Sequence, residues 1–92
     1  FDETRLYMMN ADRATFDDTS FRNADLGSVR FTRTSLRNAD FRGADLTRAK
    51  LGETDLTGAN LTGAILDGTS FGGATMPDGS TYEYGGEIVR TA

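Results

Sequence analysis

The sequence predicts an all-β solenoid, and three observations predict it. Every fifth residue from Phe16 to Met76 is Phe, Leu or Met, and the residue two positions earlier is always Ala, Thr or Val. Glycine occupies one fixed position, two residues after the large one, in several later repeats. A short fixed period is typical of a chain built from identical stacked units. The expected core consists of the large residues, which are Phe16, Phe21, Leu26, Phe31, Leu36, Phe41, Leu46, Leu51, Leu56, Leu61, Leu66, Phe71 and Met76.

A period of five fits neither regular structure. On an α-helix successive large residues would be rotated by about 140° and would not form one stripe. On a flat strand the odd spacing would place Leu26 and Phe31 on opposite faces. What fits is a short extended piece followed by a bend that recurs every five residues. Such a chain coils, with successive coils about 4.8 Å apart and the small residues leaving room for the large ones inside.

Several repeats share one motif, in which Ala is followed by Asp or Asn and then by Leu or Phe. The examples are Ala24-Asp25-Leu26, Ala39-Asp40-Phe41, Ala44-Asp45-Leu46 and Ala59-Asn60-Leu61. The sequence from Thr4 to about Asp78 resembles the pentapeptide repeat family. That resemblance implies a right-handed, quadrilateral parallel β-helix with four pentapeptides per coil and about four coils. Residues twenty apart should then stack, whereas the residues alone show the bend but not the number of sides.

The bends have their own signature at the second corner residue. Gly43, Gly58, Gly63, Gly68 and Gly73 occupy this position, where a type II turn requires a positive φ. Earlier repeats place Asn23, Arg33, Asn38 and Arg48 there. We therefore predict more type I corners in the first half of the chain and more type II corners in the second.

Both ends depart from the pattern, and we predict a single domain over 1–92, with repeats over about 4–78 and a C-terminal cap over 79–92. Met9 and Ala11 reverse the usual order of small and large, which predicts an irregular first coil. The run Pro77-Asp78-Gly79-Ser80 predicts a turn that stops the coil. The tail offers apolar residues that we expect to close the tube and to cover Ile65, namely Tyr82, Tyr84, Ile88 and Val89.

Composition argues against enzymatic chemistry. The chain has no His and no Cys, so the usual general base and the thiol nucleophile are absent. Asp25 and Asp45 would stack at neighbouring repeats and offer a pair of carboxylates, but Asp and Asn at this position belong to the family pattern and serve local turns. We expect a non-enzymatic protein with no catalytic residue, no cofactor and no metal.

Charge is the remaining source of functional information. The chain has 10 basic and 14 acidic residues, a formal net charge of −4. With four repeats per coil, one side collects Arg13, Arg30, Arg33 and Lys50, accompanied by Asp12 and Glu53. Another side collects Asp17, Asp18, Asp55 and Asp78, accompanied by Arg37. Stacked like charges are mildly unfavourable unless something offsets them, so the basic group is the predicted contact surface.

These observations favour a structural or interaction module, a rigid solenoid that presents a charged face to a protein partner. The chain starts at Phe1 and shows neither a signal peptide nor a transmembrane run, so we expect it to be part of a larger protein and leave its compartment open. A monomer is favoured and nucleic-acid binding is not expected. The alternative is a DNA-mimicking inhibitor of gyrase, as in a subset of the family. Its weakness is that duplex DNA carries one charge per roughly 1.7 Å, far more than this chain.

Overall fold

A computed structural model describes residues 1–81, in which the chain winds as a right-handed, four-sided β-helix. Every fifth residue from Arg5 to Asp55 pairs in parallel with the residue twenty further on, as Arg5 does with Asp25 and Asn10 with Arg30. The four pentapeptides per coil that the resemblance implied are therefore confirmed. Among residues 1–81 there is no helix, and each repeat forms single-residue bridges rather than a longer strand.

Each coil has four flat sides of three residues, joined by two-residue corners. The middle residue of each side points outward and the two flanking it point inward. Side 1 comprises 4–6, 24–26, 44–46 and 64–66; side 2 comprises 9–11, 29–31, 49–51 and 69–71; side 3 comprises 14–16, 34–36, 54–56 and 74–76; side 4 comprises 19–21, 39–41 and 59–61.

Backbone hydrogen bonds between coils hold the solenoid together. The N–H of Leu6 donates to the Asp25 carbonyl at 2.7 Å, and the N–H of Asp25 donates to the Thr4 carbonyl at 2.8 Å. At the corners, the N–H of Met8 donates to the Gly27 carbonyl at 2.8 Å. The same three contacts recur from coil to coil, so neighbouring coils are joined all around the square.

In many repeats a side-chain oxygen accepts the N–H that follows the large residue, which explains the acidic position of the motif. The N–H of Thr47 donates to Oδ1 of Asp45 at 3.0 Å, and that of Thr62 donates to Oδ1 of Asn60 at 3.0 Å. An Asp in the coil before does the same for Arg37, whose N–H donates to Oδ1 of Asp17 at 3.0 Å. Asp and Asn are therefore used here as local acceptors for a corner N–H.

The interior is a column of apolar side chains. Of the large residues predicted to form the core, Phe16 and Met76 in the outer coils are half-buried, and the others are at most 3% exposed. Phe21 stacks on Phe1 and Phe41, with ring centroids 5.5 and 5.1 Å apart, and Phe31 meets it edge-on. Such ring contacts add to the stabilisation that comes from buried area alone.

Three threonines at the small inward position are buried and hydrogen-bonded. Thr34 Oγ1 donates to the Ala11 carbonyl at 3.0 Å, Thr69 Oγ1 donates to the Leu46 carbonyl at 2.7 Å, and Thr54 makes the same bond to Phe31. Threonine therefore fits a position otherwise held by Ala or Val without leaving a buried hydroxyl unpaired.

The corners do not divide into two turn types. From Glu3 to Gly73 the second corner residue of every repeat has φ between 55° and 75°, and the first corner residue never has a positive φ. This is the type II pattern throughout, so the prediction of type I corners in the first half is wrong. The reason is the stack itself, because each second corner N–H must reach the carbonyl of the next coil, as Asn23 reaches Arg42 at 2.9 Å.

The prediction of an irregular first coil is also wrong. The corner bonds from Thr4 N–H to the Phe1 carbonyl and from Met9 N–H to the Leu6 carbonyl are formed, at 3.3 and 3.1 Å. Met9 and Ala11 are adjacent inward positions, and both pack partly buried against the core. Met9 at the usually small position and Ala11 at the usually large position therefore fill together about the same volume as the usual small and large pair.

At the other end the chain reverses direction. The N–H of Gly79 donates to the Met76 carbonyl at 2.8 Å, the N–H of Met76 donates to the Ser80 carbonyl at 2.7 Å, and Thr81 pairs antiparallel with Thr75. The turn predicted at Pro77-Asp78-Gly79-Ser80 thus folds the chain back beneath side 3. The cap expected from Tyr82, Tyr84, Ile88 and Val89 lies outside the described residues, and Ile65 is 47% exposed.

A candidate interaction surface

The basic group predicted from the sequence lies together on the folded molecule. Arg30 and Lys50 are paired directly on side 2, so they are one coil step apart, about 4.8 Å. Arg13 and Arg33 occupy the same corner position in successive coils, at the corner between sides 2 and 3. All four side chains are exposed. Side 2 and this corner together form what we call the basic surface.

Half of this charge is neutralised within the chain. Nη2 of Arg30 lies 2.6 Å from Oδ2 of Asp12, and Nε of Arg33 lies 2.8 Å from Oε1 of Glu53. The arginine side chains are about half exposed, so each pair stabilises the fold by no more than about 1 kcal/mol. Within residues 1–81, neither Arg13 nor Lys50 has a carboxylate within 4.0 Å of its side-chain nitrogens.

Asp12 neutralises Arg30 and also holds the Arg30 side chain in place. Its Oδ1 accepts the backbone N–H of Thr32 at 3.1 Å, while its Oδ2 accepts from the guanidinium of Arg30. The carboxylate is therefore tied to the next coil at two points. This arrangement presents the arginine from a rigid backbone, which lowers the entropy that a partner would otherwise have to remove on binding.

Sequence reasoning missed three residues beside the basic surface. Arg48 is exposed and lies at the corner between sides 1 and 2, two residues before Lys50. Tyr7 and Met8 occupy the same corner in the first coil and are 59% and 69% exposed. The sequence alone could have revealed Tyr7 and Met8 as unusual. The other corners carry polar, charged, Gly or Pro residues, and Tyr7-Met8 departs from that pattern.

A surface of opposite sign lies on side 3 and the corner that follows it. It contains Asp17, Asp18, Asp55 and Asp78 together with Arg37, whose Nε is 3.9 Å from Oδ2 of Asp55. The Thr57 hydroxyl, which donates to Asp55, lowers the pKa of that carboxyl, and the Ser80 hydroxyl lowers the pKa of Asp78 in the same way. Both carboxylates are therefore charged at neutral pH. The molecule thus carries a negatively charged surface at side 3 and a positively charged one at side 2.

The corner after side 4 shows how stacked arginines are accommodated. Arg22 and Arg42 occupy the same position in successive coils, and Asp40 forms an ion pair with each. Oδ2 of Asp40 lies 4.0 Å from Nε of Arg22 and 2.8 Å from Nη2 of Arg42. The hydrogen bonds from Arg42 lower the pKa of Asp40 below its ordinary value. A carboxylate thus offsets like-charge stacking at this corner, whereas Lys50 on side 2 has no such partner within residues 1–81.

The stacked carboxylates on side 1 have a local role. Asp25 and Asp45 are paired on neighbouring coils, and each Oδ1 accepts the N–H two residues ahead, at 3.2 and 3.0 Å. These contacts support the interpretation that the family pattern uses Asp to satisfy a corner. The described residues, 1–81, contain no candidate for a membrane-spanning helix.

A four-sided β-helix made of five-residue repeats, with charged sides, defines a class of repeat protein. The chain belongs to the pentapeptide repeat family, since the family profile, described as pentapeptide repeats, matches residues 1–38 and 39–76 with 8 copies. Among curated protein sequences no relative matches this chain.

Solved structures of the same fold come from cyanobacteria and a plant. HetL of Nostoc sp. strain PCC 7120, a pentapeptide repeat protein involved in regulation of heterocyst differentiation, is 25% identical with a TM-score of 0.55, and the match covers 89% of this chain and 51% of HetL. A second Nostoc PCC 7120 pentapeptide repeat protein is 25% identical with a TM-score of 0.61, covering 95% and 76%. One from the Arabidopsis thaliana thylakoid lumen is 28% identical with a TM-score of 0.54, covering 80% and 62%. The chain thus spans about half the length of HetL.

Proposed function

We propose that this chain is a non-enzymatic interaction module that presents the basic surface to a protein partner as part of a larger protein. The observation that carries the proposal is that most of the stacked cations are paired with a carboxylate of the chain and others, within residues 1–81, are not. Asp12, Asp40 and Glu53 neutralise most of them, whereas Lys50 and Arg13 are exposed and have no carboxylate partner within the described part of the chain, residues 1–81. A charged group that the fold itself does not use is available to steer and orient a partner.

Rigidity supports the same proposal. Arg30, Arg33 and Lys50 stem from coils that are hydrogen-bonded above and below, over a core in which Phe31 and Leu51 are fully buried. A pre-organised surface loses little conformational entropy on binding. The module is a monomer in this proposal, and its partner supplies the opposite charge.

The experiment uses a photo-crosslinking amino acid introduced into the full polypeptide in its native host. Ser70 lies directly below Lys50 on side 2, and Asn60 occupies the equivalent outward position on side 4. Both are exposed. A discrete protein adduct from position 70 and none from position 60 is expected. No adduct at position 70, or the same adduct from both positions, would contradict the proposal.

DNA mimicry is the weaker candidate. Four coils span about 19 Å at strand spacing, and cations interrupt the carboxylates of the acidic side, since Arg37 approaches Asp55. A continuous row of anions at duplex spacing is what a mimic requires. Inhibition of gyrase supercoiling at stoichiometric concentration would reverse the order of the two candidates.

A further inference from the structure

We infer that the contact surface extends from side 2 across the corner between sides 1 and 2, and that its partner is an acidic protein segment carrying an apolar side chain. The apolar side chain would pack on Tyr7 and Met8, and the carboxylates would reach Arg48 and Lys50. This inference rests on the proposed function, because it specifies the chemistry of the partner.

The first support is the exposure of two large apolar side chains at a corner. Tyr7 and Met8 are 59% and 69% exposed, and Met8 has a φ of 63°, a conformation unfavourable for a side chain of its size. The bond from Met8 N–H to the Gly27 carbonyl requires this backbone angle of whatever residue stands at the corner, so the fold gains nothing from a large apolar side chain there. The next coil has the small residues Gly27 and Ser28 at the same positions, which shows that the corner itself does not require bulk.

The second support is independent and concerns charge. Arg48 occupies the same column of corner positions as Met8, two coils further on, and therefore lies about 10 Å from it along the solenoid axis. Within residues 1–81 the side chains of Arg48 and Lys50 have no carboxylate within 4.0 Å of their nitrogens. Two cations with no carboxylate partner among residues 1–81 and an apolar pair thus share one strip. Aromatic, Met and Arg side chains are the types enriched in protein interfaces.

The third support is the shape around the cations. The Cγ of Arg48 lies over Gly68, 3.3 Å from where a Cβ on that glycine would stand, so the stem of Arg48 lies against the backbone of the next coil. On side 2 the residue below Lys50 is Ser70, and Gly52 follows at the corner. Small residues around the cations let a partner chain approach the coil surface closely.

The same corner disfavours a nucleic acid. Its other border is side 1, where Asp25 and Asp45 stack on neighbouring coils. A phosphate backbone is uniformly anionic and would be repelled there, whereas a protein segment can place its carboxylates toward Arg48 and Lys50 only. The formal net charge of −4 acts in the same direction.

The test measures fluorescence anisotropy at low salt with three labelled probes. These are a Glu-rich peptide containing Phe, the same peptide with Ser in place of Phe, and an oligothymidylate of similar length. The Phe-containing peptide is expected to bind best. We expect Met8→Ser, which places the residue found one coil further on, to weaken it about fivefold and the double variant Arg48→Glu with Lys50→Glu to weaken it more than tenfold.

The matched control is Arg22→Glu with Arg42→Glu, which changes net charge equally at the corner after side 4 and is expected to alter binding less than twofold. Equal loss in the control, or tighter binding of oligothymidylate than of the peptide, would overturn the inference. Failure of the peptide to bind, with position 70 still forming its adduct, would remove the acidic partner and leave the proposed function standing. Loss of the adduct itself would remove the proposed function.

Discussion

At the residue scale, the second corner position carries the largest local conformational demand. Residues other than glycine adopt a positive φ at ten corners, including Met8, Arg33 and Arg48. A left-handed conformation costs such residues roughly 1–2 kcal/mol each. The ladder between coils outweighs this cost, since from Glu3 to Gly58 the N–H of each second corner residue donates to a carbonyl of the next coil.

Gly43 and Gly52 form a matched test of that demand. Gly43 has a φ of 72°, and an added Cβ would stand 2.2 Å from Oδ1 of Asn23, whereas Gly52 has no positive φ and its added Cβ would stand 3.4 Å from the Gly72 carbonyl oxygen. We expect Gly43→Ala to lower the free energy of unfolding by about 1–2 kcal/mol and Gly52→Ala to raise it by up to ~1 kcal/mol.

Urea unfolding followed by circular dichroism measures both changes. Adding Asn23→Ala to the Gly43→Ala variant should recover the part of the loss that comes from the clash and leave the part that comes from φ. Equal destabilisation by the two alanines would show that corner φ does not limit stability.

Asp55 supplies a prediction about pH. Its pKa is lowered from 3.8, first by the Thr57 hydroxyl and then by the Thr57 N–H, which donate to Oδ1. A folded-state pKa below the unfolded one contributes stability that is present above about pH 4 and is lost as the pH falls through the folded pKa. In Asp55→Asn the amide oxygen still accepts the Thr57 N–H, as Asn60 does for Thr62.

We expect the difference in the free energy of unfolding between pH 6 and pH 2.5 to be smaller in Asp55→Asn than in the parent. Asp18→Asn is the control, because within residues 1–81 the Asp18 carboxylate makes no hydrogen bond or ion pair. The same pH dependence in the parent and in Asp55→Asn would contradict the stabilising role of the charged form.

At the scale of the repeat, the interior was predictable and the corners were not. Leu46 and Leu51 are fully buried because a five-residue period can reach one interior only by bending, which the sequence shows directly. The turn type at Asn23 or Arg33 was mispredicted because local preference disfavours a positive φ there, and the stacking that imposes it joins residues twenty apart. Likewise the position of Lys50 was predictable from the repeat, whereas the pairing of Arg30 with Asp12 depends on side-chain geometry between coils.

The hairpin at the end of side 3 is an element that can be tested by itself. Gly79 has a φ of 89°, and an added Cβ would meet nothing within 4 Å, so only the backbone conformation opposes substitution. We expect Gly79→Ala to weaken the bond from Met76 N–H to the Ser80 carbonyl and to speed amide exchange at Met76 about fivefold, from a cost near 1 kcal/mol.

Amide exchange at Leu26, Leu46 and Val29 serves as the internal control. These N–H groups lie in the inner coils and donate to carbonyls remote from the hairpin, so their exchange should not change. Uniform acceleration at all these sites would mean that the substitution destabilises the whole solenoid rather than the reversal of the chain.

At the scale of the molecule, stability comes from the ladder and the apolar column more than from charge. The five ion pairs of residues 1–81 involve side chains that are 24% to 57% exposed. Exposed pairs contribute little and are screened by salt. The charges of sides 2 and 3 therefore matter more for what the molecule meets than for how it folds.

We expect the free energy of unfolding to change by less than about 1 kcal/mol between roughly 20 mM and roughly 500 mM NaCl. Equilibrium unfolding in urea, which adds no ions of its own, is the suitable measurement. A loss of several kcal/mol at high salt would show that the surface pairs are a main source of stability.

Two sequence spacings govern the molecule: five residues separate successive large inward residues, and twenty residues separate positions that stack in neighbouring coils. The two differ in their tolerance of insertion. Adding or deleting one five-residue unit would keep every large residue inside, yet it would turn all later outward positions by a quarter revolution. Lys50 would then no longer stand beneath Arg30, and Arg48 would leave the column of Met8. Only a change of twenty residues preserves both the interior and the vertical order of the surface, so length variation among such chains can reassign their binding sides without any cost to the core.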